Sequence, residues 1–451
     1  MKHYQKFIVF SMVLGFLISC AKEIALPINA NFTVAVVDDD YSVPVYVKIN
    51  NLTEGAETFQ WTFNGGEPSS SVDKNPGVVL YTVPGNYTIA LEASNRDGTK
   101  EVSNFQITID EAIVPSFQVN IEKDAYLPIS VNIENMTTGA SHYHWTFENG
   151  IPATSSAASP QNIVFNEPGN HIIALEAGNG RESKHISDTI TVAPDIFADF
   201  DIVAAFQDDD FQAPVTLYLI NKSISGTSFE WTFDTAVPSS SLETNPTITV
   251  DTPGIHQLKL KASNSKRSHT VSKEITIYEE TNLRSIENVQ LGTSSAHNNN
   301  ISGAFFSTTS RKVYTKDSVP LDDGGIVDIV FFALNHDFNF NKFVSPDEVE
   351  DYTFEPIPIA KHTKFINLQE SCECEASLSV VEFDAMEDDT LLSEMTIEET
   401  IGGIQDFDDS VVPRIVLFET WDGRKGAIKI REFVQSGPDS HIVMDIKVQK
   451  Q

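Results

Sequence analysis

Cysteine is nearly absent: the 451 residues hold only Cys20, Cys372 and Cys374. So few thiols exclude a disulfide framework and a four-cysteine zinc site. The "CEC" pair leaves three readings open: a small-loop disulfide, a chelating pair, or two ordinary neighbours. Positive charge is scarce as well, with 30 Lys and Arg against 64 Asp and Glu and a formal charge of −34. A chain this acidic repels nucleic acid and anionic lipid, so neither is an expected partner. Beyond the N-terminus no apolar run is long enough to cross a bilayer as a helix. Catalytic signatures are missing too: there is no G-x-S-x-G elbow, no H-E-x-x-H and no glycine-rich phosphate loop. The carboxylates gather in runs such as "DAMEDD" and "DFDDS", which read as surface turns, and no enzyme is expected.

What is present begins with residues 1–19, "MKHYQKFIVFSMVLGFLIS", a positive start followed by about a dozen apolar residues. That length suits a secretory signal and not a transmembrane helix. The following "LISC" resembles the bacterial lipobox, which implies cleavage before Cys20 and lipidation of its thiol. Two or more acyl chains give stable membrane attachment. "AKE" at 21–23 is similar to the surface-export signal of Bacteroidetes lipoproteins. The expectation is a lipid-anchored protein of the outer membrane displayed at the cell surface, with residues 20–26 as linker.

Tryptophan is rare, yet three of four recur in one setting: "FQWTF", "YHWTF" and "FEWTF" place Trp61, Trp145 and Trp231 84 and 86 residues apart. Each is followed by Pro-Gly (Pro84-Gly85, Pro168-Gly169, Pro253-Gly254) and then by Asn95, Asn179 or Asn264. Phe32, Phe117 and Phe200 open the units, and Pro44, Pro128 and Pro214 precede their second strands. This is an internal repeat. Within it, apolar residues alternate over strand-length stretches such as "NYTIALEAS", punctuated by Gly, Pro, Asn and Ser. The tryptophans read as the filling between two sheets of a β-sandwich.

The stretch "WTFNGGEPSSSVDKNPGVVLYTVPGNYTIALEASN" resembles the PKD domain, an immunoglobulin-like sandwich. That likeness covers modules at 27–110, 113–193 and 195–279, and implies spacing elements. The short connections at 111–115 and 193–195 predict limited bending, and three modules of this strand length would span roughly 100 Å. Two of the modules carry acidic runs, Asp38, Asp39, Asp40 and Asp208, Asp209, Asp210. These are solvated turns or structural calcium sites, since calcium takes six to eight oxygens. No other cofactor is expected.

From 285 to 451 the repeat is lost, and a distinct, mostly β domain with little helix is expected, making the whole chain all-β. "MEDDTLLSEMTIEETIGG" predicts a helix or two short turns with Leu391, Leu392, Met395 and Ile397 available for burial. "PRIVLFETWDGRKGAIKIREF" predicts a hairpin turning at Asp422-Gly423. Trp421 stands just before that turn with Arg424 after it, a flat ring beside a cation of the kind that packs on a sugar face. A second candidate glycan-binding stretch is "FFALNHDFNFNKF", where Asn335, His336, Asp337, Phe338 and Phe340 interleave. The competing expectation makes both phenylalanines the inner face of a strand. Anchor, modules and unlike tip together resemble the multimodular SusE/SusF-like surface glycan-binding lipoproteins of Bacteroidetes. That resemblance implies a non-catalytic protein holding a neutral polysaccharide, such as a β-glucan of laminarin type, near a SusC/SusD-like porin complex. The alternative is a structural or adhesive surface protein whose C-terminal domain binds another protein or a cell-wall component.

Overall fold

The structure, a computed structural model, describes residues 27–372, 374–399 and 406–451. The signal segment and Cys20 lie outside the described residues. The chain divides into two compact units: residues 1–198 with 223–228 and 261–270, and residues 199–222 with 229–260 and 271–451.

All three modules are antiparallel sandwiches. In the first, one sheet joins Phe32–Val36, Val45–Asn51 and Gly77–Tyr81, and the other joins Ser70–Ser71, Thr58–Phe63, Gly85–Ser94 and Lys100–Ile109. The second module repeats this with His142–Phe147, Gly169–Gly178 and Ser183–Val192 as its long strands, and the third with Ser228–Phe233, Gly254–Ser263 and Ser268–Ile277.

The repeated residues have assigned places. Trp61, Trp145 and Trp231 are fully buried. Each indole would forfeit its N–H hydrogen bond on burial, and each recovers it by donating to a carbonyl twelve residues on: Asp73 at 2.9 Å, Ala157 at 3.0 Å and Glu243 at 2.9 Å. Phe32, Phe117 and Phe200 meet these indoles edge-on, with ring centres 5.2, 5.1 and 5.0 Å apart. The Pro-Gly glycines carry φ of 155°, 115° and 133°, so at Gly169 and Gly254 the chain reverses through a conformation that a side chain disfavours. Asn179 Oδ1 accepts the amides of Arg181 and Glu182, and Asn264 Oδ1 those of Lys266 and Arg267, which closes each hairpin tip.

The C-terminal domain opens at Leu283. Its five-stranded sheet runs Leu283–Gly292, His441–Gln449, Lys425–Val434, Arg414–Glu419, Lys364–Ile366 in spatial order. A four-stranded sheet of Lys312–Tyr314, Phe305–Ser307, Ile329–Phe332 and Lys342–Val344 supplies the facing layer. Phe331 and Phe343 share one core with Phe418, Ile428 and Ile446. Ile415 and Leu417, on the alternate face of Arg414–Glu419, pack instead with Leu378, Phe383, Leu392 and Ile397. Two short helices, Val380–Ala385 and Thr390–Glu394, therefore cover the outer side of the larger sheet. Of the four residues expected for burial in this stretch, Leu392 and Ile397 are buried and Leu391 is exposed. Cys372 and Cys374 are joined as a disulfide, which corrects the expectation of two ordinary neighbours.

Candidate functional site

The predicted hairpin forms: Arg414–Glu419 pairs with Lys425–Val434 from Glu419↔Lys425 upward. The connecting loop is five residues, 420–424. Gly423, at φ +87°, donates its amide to Thr420 O at 2.9 Å. Trp421 lies at this tip and is 55% exposed. One face of its ring carries the Lys361 ammonium, 5.0 Å from the centroid, a cation–π contact.

Arg424 points the other way. Its side chain is mostly covered; Nε donates to Asp422 at 2.9 Å, Nη1 donates to Thr308 Oγ1 at 3.0 Å, and Nη2 lies 3.7 Å from Asp328. Asp328 is buried and accepts both the amide and the hydroxyl of Thr308, at 2.7 and 2.6 Å. Burial pushes the Asp328 carboxyl up, against the pull of Thr308 and Arg424. Arg424 is thus committed to holding a buried carboxylate, and it does not project beside Trp421 as expected. Together with Asp422, Thr308, Gln207, Gln212 and Arg284, it lines a polar cleft of about 570 Å³. Trp421 is not among the cleft's lining residues.

The second candidate stretch is neither a site on a strand nor a strand's inner face. Residues 333–341 form a loop between Ile329–Phe332 and Lys342–Val344. Phe338 and Phe340 both have positive φ, 56° and 61°, which breaks the alternation that a strand would impose. Phe338 is buried edge-on against Phe433, with centroids 5.0 Å apart, whereas Phe340 is 58% exposed. Asn335 Oδ1 accepts the Asp337 amide and the Asn339 side chain, so it braces the loop. His336 and Asp337 are exposed, 3.5 Å apart. Phe433 and the 420–424 tip sit at opposite ends of strand Lys425–Val434, about 30 Å at 3.3 Å per residue. The two candidate groups are therefore not one site.

The acidic runs have partners that the sequence reading missed. Arg284 pairs with Asp209; Arg311 pairs with Asp209 at 2.6 Å and with its guanidinium covers the Phe206 ring; Lys450 pairs with Asp210 at 2.7 Å. Burial raises the Asp209 carboxyl, but bonds to Arg311 and Arg284 outweigh it and hold the group below its usual range. At 208–210, therefore, the carboxylates are engaged by side-chain cations and are not the purely solvated turn expected. At 38–40, Asp40 accepts the Ser42 amide and all three residues are exposed. The carboxylates of Asp38, Asp39 and Asp40 form no convergent ligand group among the described residues.

The same loop in the first two modules meets a basic hairpin tip. Arg181 donates to Asp110 at 3.1 Å and to Thr108 O at 3.0 Å, and lies over Tyr41, while Ser42 bonds Glu182. Lys266 donates to Pro128 O at 2.6 Å and lies 3.3 Å from Asp124, which Ser265 also bonds. Arg267 pairs with Asp195 at 2.8 Å. The loop after each module's first strand is a socket for residues of the following segment.

One further cluster stands apart: Glu348, His362 and Glu399 place their ligand atoms within 4.8 Å of one another.

Neither a family model nor a curated protein matches the chain. Solved structures resemble it loosely. A bacterial ice-binding adhesin of 1.5 MDa covers 57% of this chain and 99% of its own at 12% identity, with a TM-score of 0.26. The cadherin domains 3–6 of protocadherin gamma B2 cover 85% and 92% at 12% identity, with a TM-score of 0.28. Invasin, a bacterial integrin-binding protein, covers 92% and 78% at 11% identity, with a TM-score of 0.26.

Proposed function

We propose that the chain is a non-catalytic, lipid-anchored protein of the cell surface, in which immunoglobulin-like modules space a C-terminal domain that makes an adhesive contact with a protein partner. The observation that carries this reading is an exposed apolar group on adjoining loops of the C-terminal domain. In the C-terminal domain, Trp421, Ile359 and Leu321 are exposed at 55%, 63% and 83%. They stand on adjoining loops: Lys361 lies over Trp421, and the backbone at Gly324 and Gly325 packs against Pro358 and Ile359. Half-exposed tryptophan flanked by aliphatic residues is the composition of a protein-binding hot spot.

A second reading, capture of a neutral polysaccharide, draws on the polar cleft beside the same hairpin, whose amide, hydroxyl and guanidinium groups suit hydroxyl recognition. Beads coated with the mature chain, with Cys20 replaced by serine, would be scored for attachment to cells before and after protease treatment of those cells. The protein-contact reading expects attachment that protease abolishes and that W421A with I359S removes. Affinity electrophoresis against neutral and charged polysaccharides is the counterpart. Retardation by a neutral glycan that substitution of the cleft residues Gln207 and Gln212 by alanine abolishes would replace the first reading with the second.

A further inference from the structure

We propose that Glu348, His362 and Glu399 form a binding site for a divalent transition-metal ion of the zinc type. The three residues come from separate segments: the 3-10 helix Pro346–Tyr352, the turn before strand Lys364–Ile366, and the extended stretch after helix Thr390–Glu394. One ligand atom of each lies within 4.8 Å of the others, and His362 Nε2 is 3.3 Å from Glu399 Oε2. Two ligands bound at about 2.1 Å to a tetrahedral ion stand about 3.4 Å apart, so this pair is already at coordinating separation. The Glu348 carboxylate, within 4.8 Å of both, is the third ligand.

The imidazole is also oriented. His362 Nδ1 is held by Asp347 at 3.0 and 3.2 Å, with Ser345 Oγ 3.2 Å away. That leaves Nε2 on the side of Glu399, 3.3 Å from its Oε2. A carboxylate behind one ring nitrogen fixes the ring of metal-bound histidines; at His362 a metal would take the place of the present Nε2 contact with Glu399. Charge points the same way. Asp347, Glu348 and Glu399 surround a single imidazole, and Lys342, the cation of the neighbouring strand, is paired with Asp406. One nitrogen and two oxygens favour zinc or manganese over calcium and magnesium, which take oxygen ligands. Glu348 and His362 are half-buried and Glu399 is exposed, which leaves the remaining coordination positions to water. The ion would tie three segments of the C-terminal domain together.

Isothermal titration of the chelator-treated mature chain with zinc chloride tests this. One equivalent should bind, with H362Q and E348Q each weakening it at least tenfold. D347N, which leaves all three ligands in place, should weaken it by about 10- to 100-fold. E399Q, on an exposed segment, reports on the same site should a half-buried variant fail to fold, as circular dichroism would show. The chain has 11 histidines, so undiminished zinc binding in both H362Q and E399Q would place the ion elsewhere and overturn the proposal. Absence of stoichiometric binding, or calcium binding as tight as zinc, would overturn it equally.

Discussion

Acidification should destabilise the C-terminal domain through one residue, His297. This side chain is buried beneath Phe305 and Phe354, with ring centres 4.0 and 5.1 Å away, and its Nδ1 accepts the Ala304 amide at 3.0 Å. An imidazole whose Nδ1 is an acceptor is neutral, and charging it would cost both that bond and the desolvation of a cation. Burial accordingly lowers its pKa from 6.5 to about 4, with a bond to Tyr314 opposing the shift. Because the folded value lies below the unfolded one, the unfolded chain binds the extra proton between them. The contribution is therefore complete above pH 6.5 and is lost progressively as pH falls to about 4. A shift of this size is worth about 3 kcal/mol at 1.36 kcal/mol per unit. The comparison that isolates it is wild type against H297N, whose amide oxygen keeps the bond to Ala304 without titrating. Hydrogen exchange of the 296–306 segment, corrected for intrinsic rates, reads local opening at pH 7 and pH 5. Wild type should lose protection relative to H297N by a factor of ten or more. Equal pH dependence in the two proteins would refute the assignment of a buried neutral imidazole.

Trp145→Ala should cost about 3–5 kcal/mol, because the residue is fully buried and its indole satisfies a carbonyl; limited proteolysis should then cut within the second module first. Asp209→Ala leaves Arg284 and Arg311, with side chains only 10% and 16% exposed, short of their shared carboxylate. Screening at the half-exposed Asp209 places the loss near 2 kcal/mol, read as a fall in urea midpoint. Millimolar calcium against chelator should leave that midpoint unchanged, since arginine and lysine already neutralise Asp209 and Asp210. Gly426→Ala would drive a Cβ to within 2.2 Å of the Phe418 ring, an overpacking worth about 1–3 kcal/mol; thermal denaturation checks it.

The modules were legible in the sequence because their information is periodic. A tryptophan that must fill the gap between two sheets returns at one register, and its edge-on phenylalanine, reversing glycine and tip asparagine return with it. The hairpin at 420–424 was legible for a similar local reason, with glycine supplying a positive φ. What escaped the sequence is non-local. Arg424 is turned inward by Asp328, 96 positions upstream, and no short-range pattern connects the two. Phe338 and Phe340 were expected to share one face, as glycan contacts or as the inner face of a strand, but two left-handed residues in one loop send one ring in and the other out. The run at 208–210 drew attention as oxygen ligands, yet its partners are arginines and a lysine 75 to 240 positions further on.

The loop-and-tip contacts carry a consequence for how such a chain can grow. In each of the first two modules the loop after the first strand receives a hairpin tip of the next repeat, carrying Arg181 or Lys266, so the two contacting surfaces lie on different parts of one repeating unit. A contact of this head-to-tail kind joins different patches of successive units and is not self-complementary, and nothing in it fixes the number of copies. Duplicating one repeat would supply both a new tip and a new loop, already complementary. The last loop is the exception: it faces an unlike fold, and holds it with three cations instead of a tip. Repeat number is therefore free to drift, whereas the junction at Asp209 and Asp210 is tailored to a single neighbour and resists exchange.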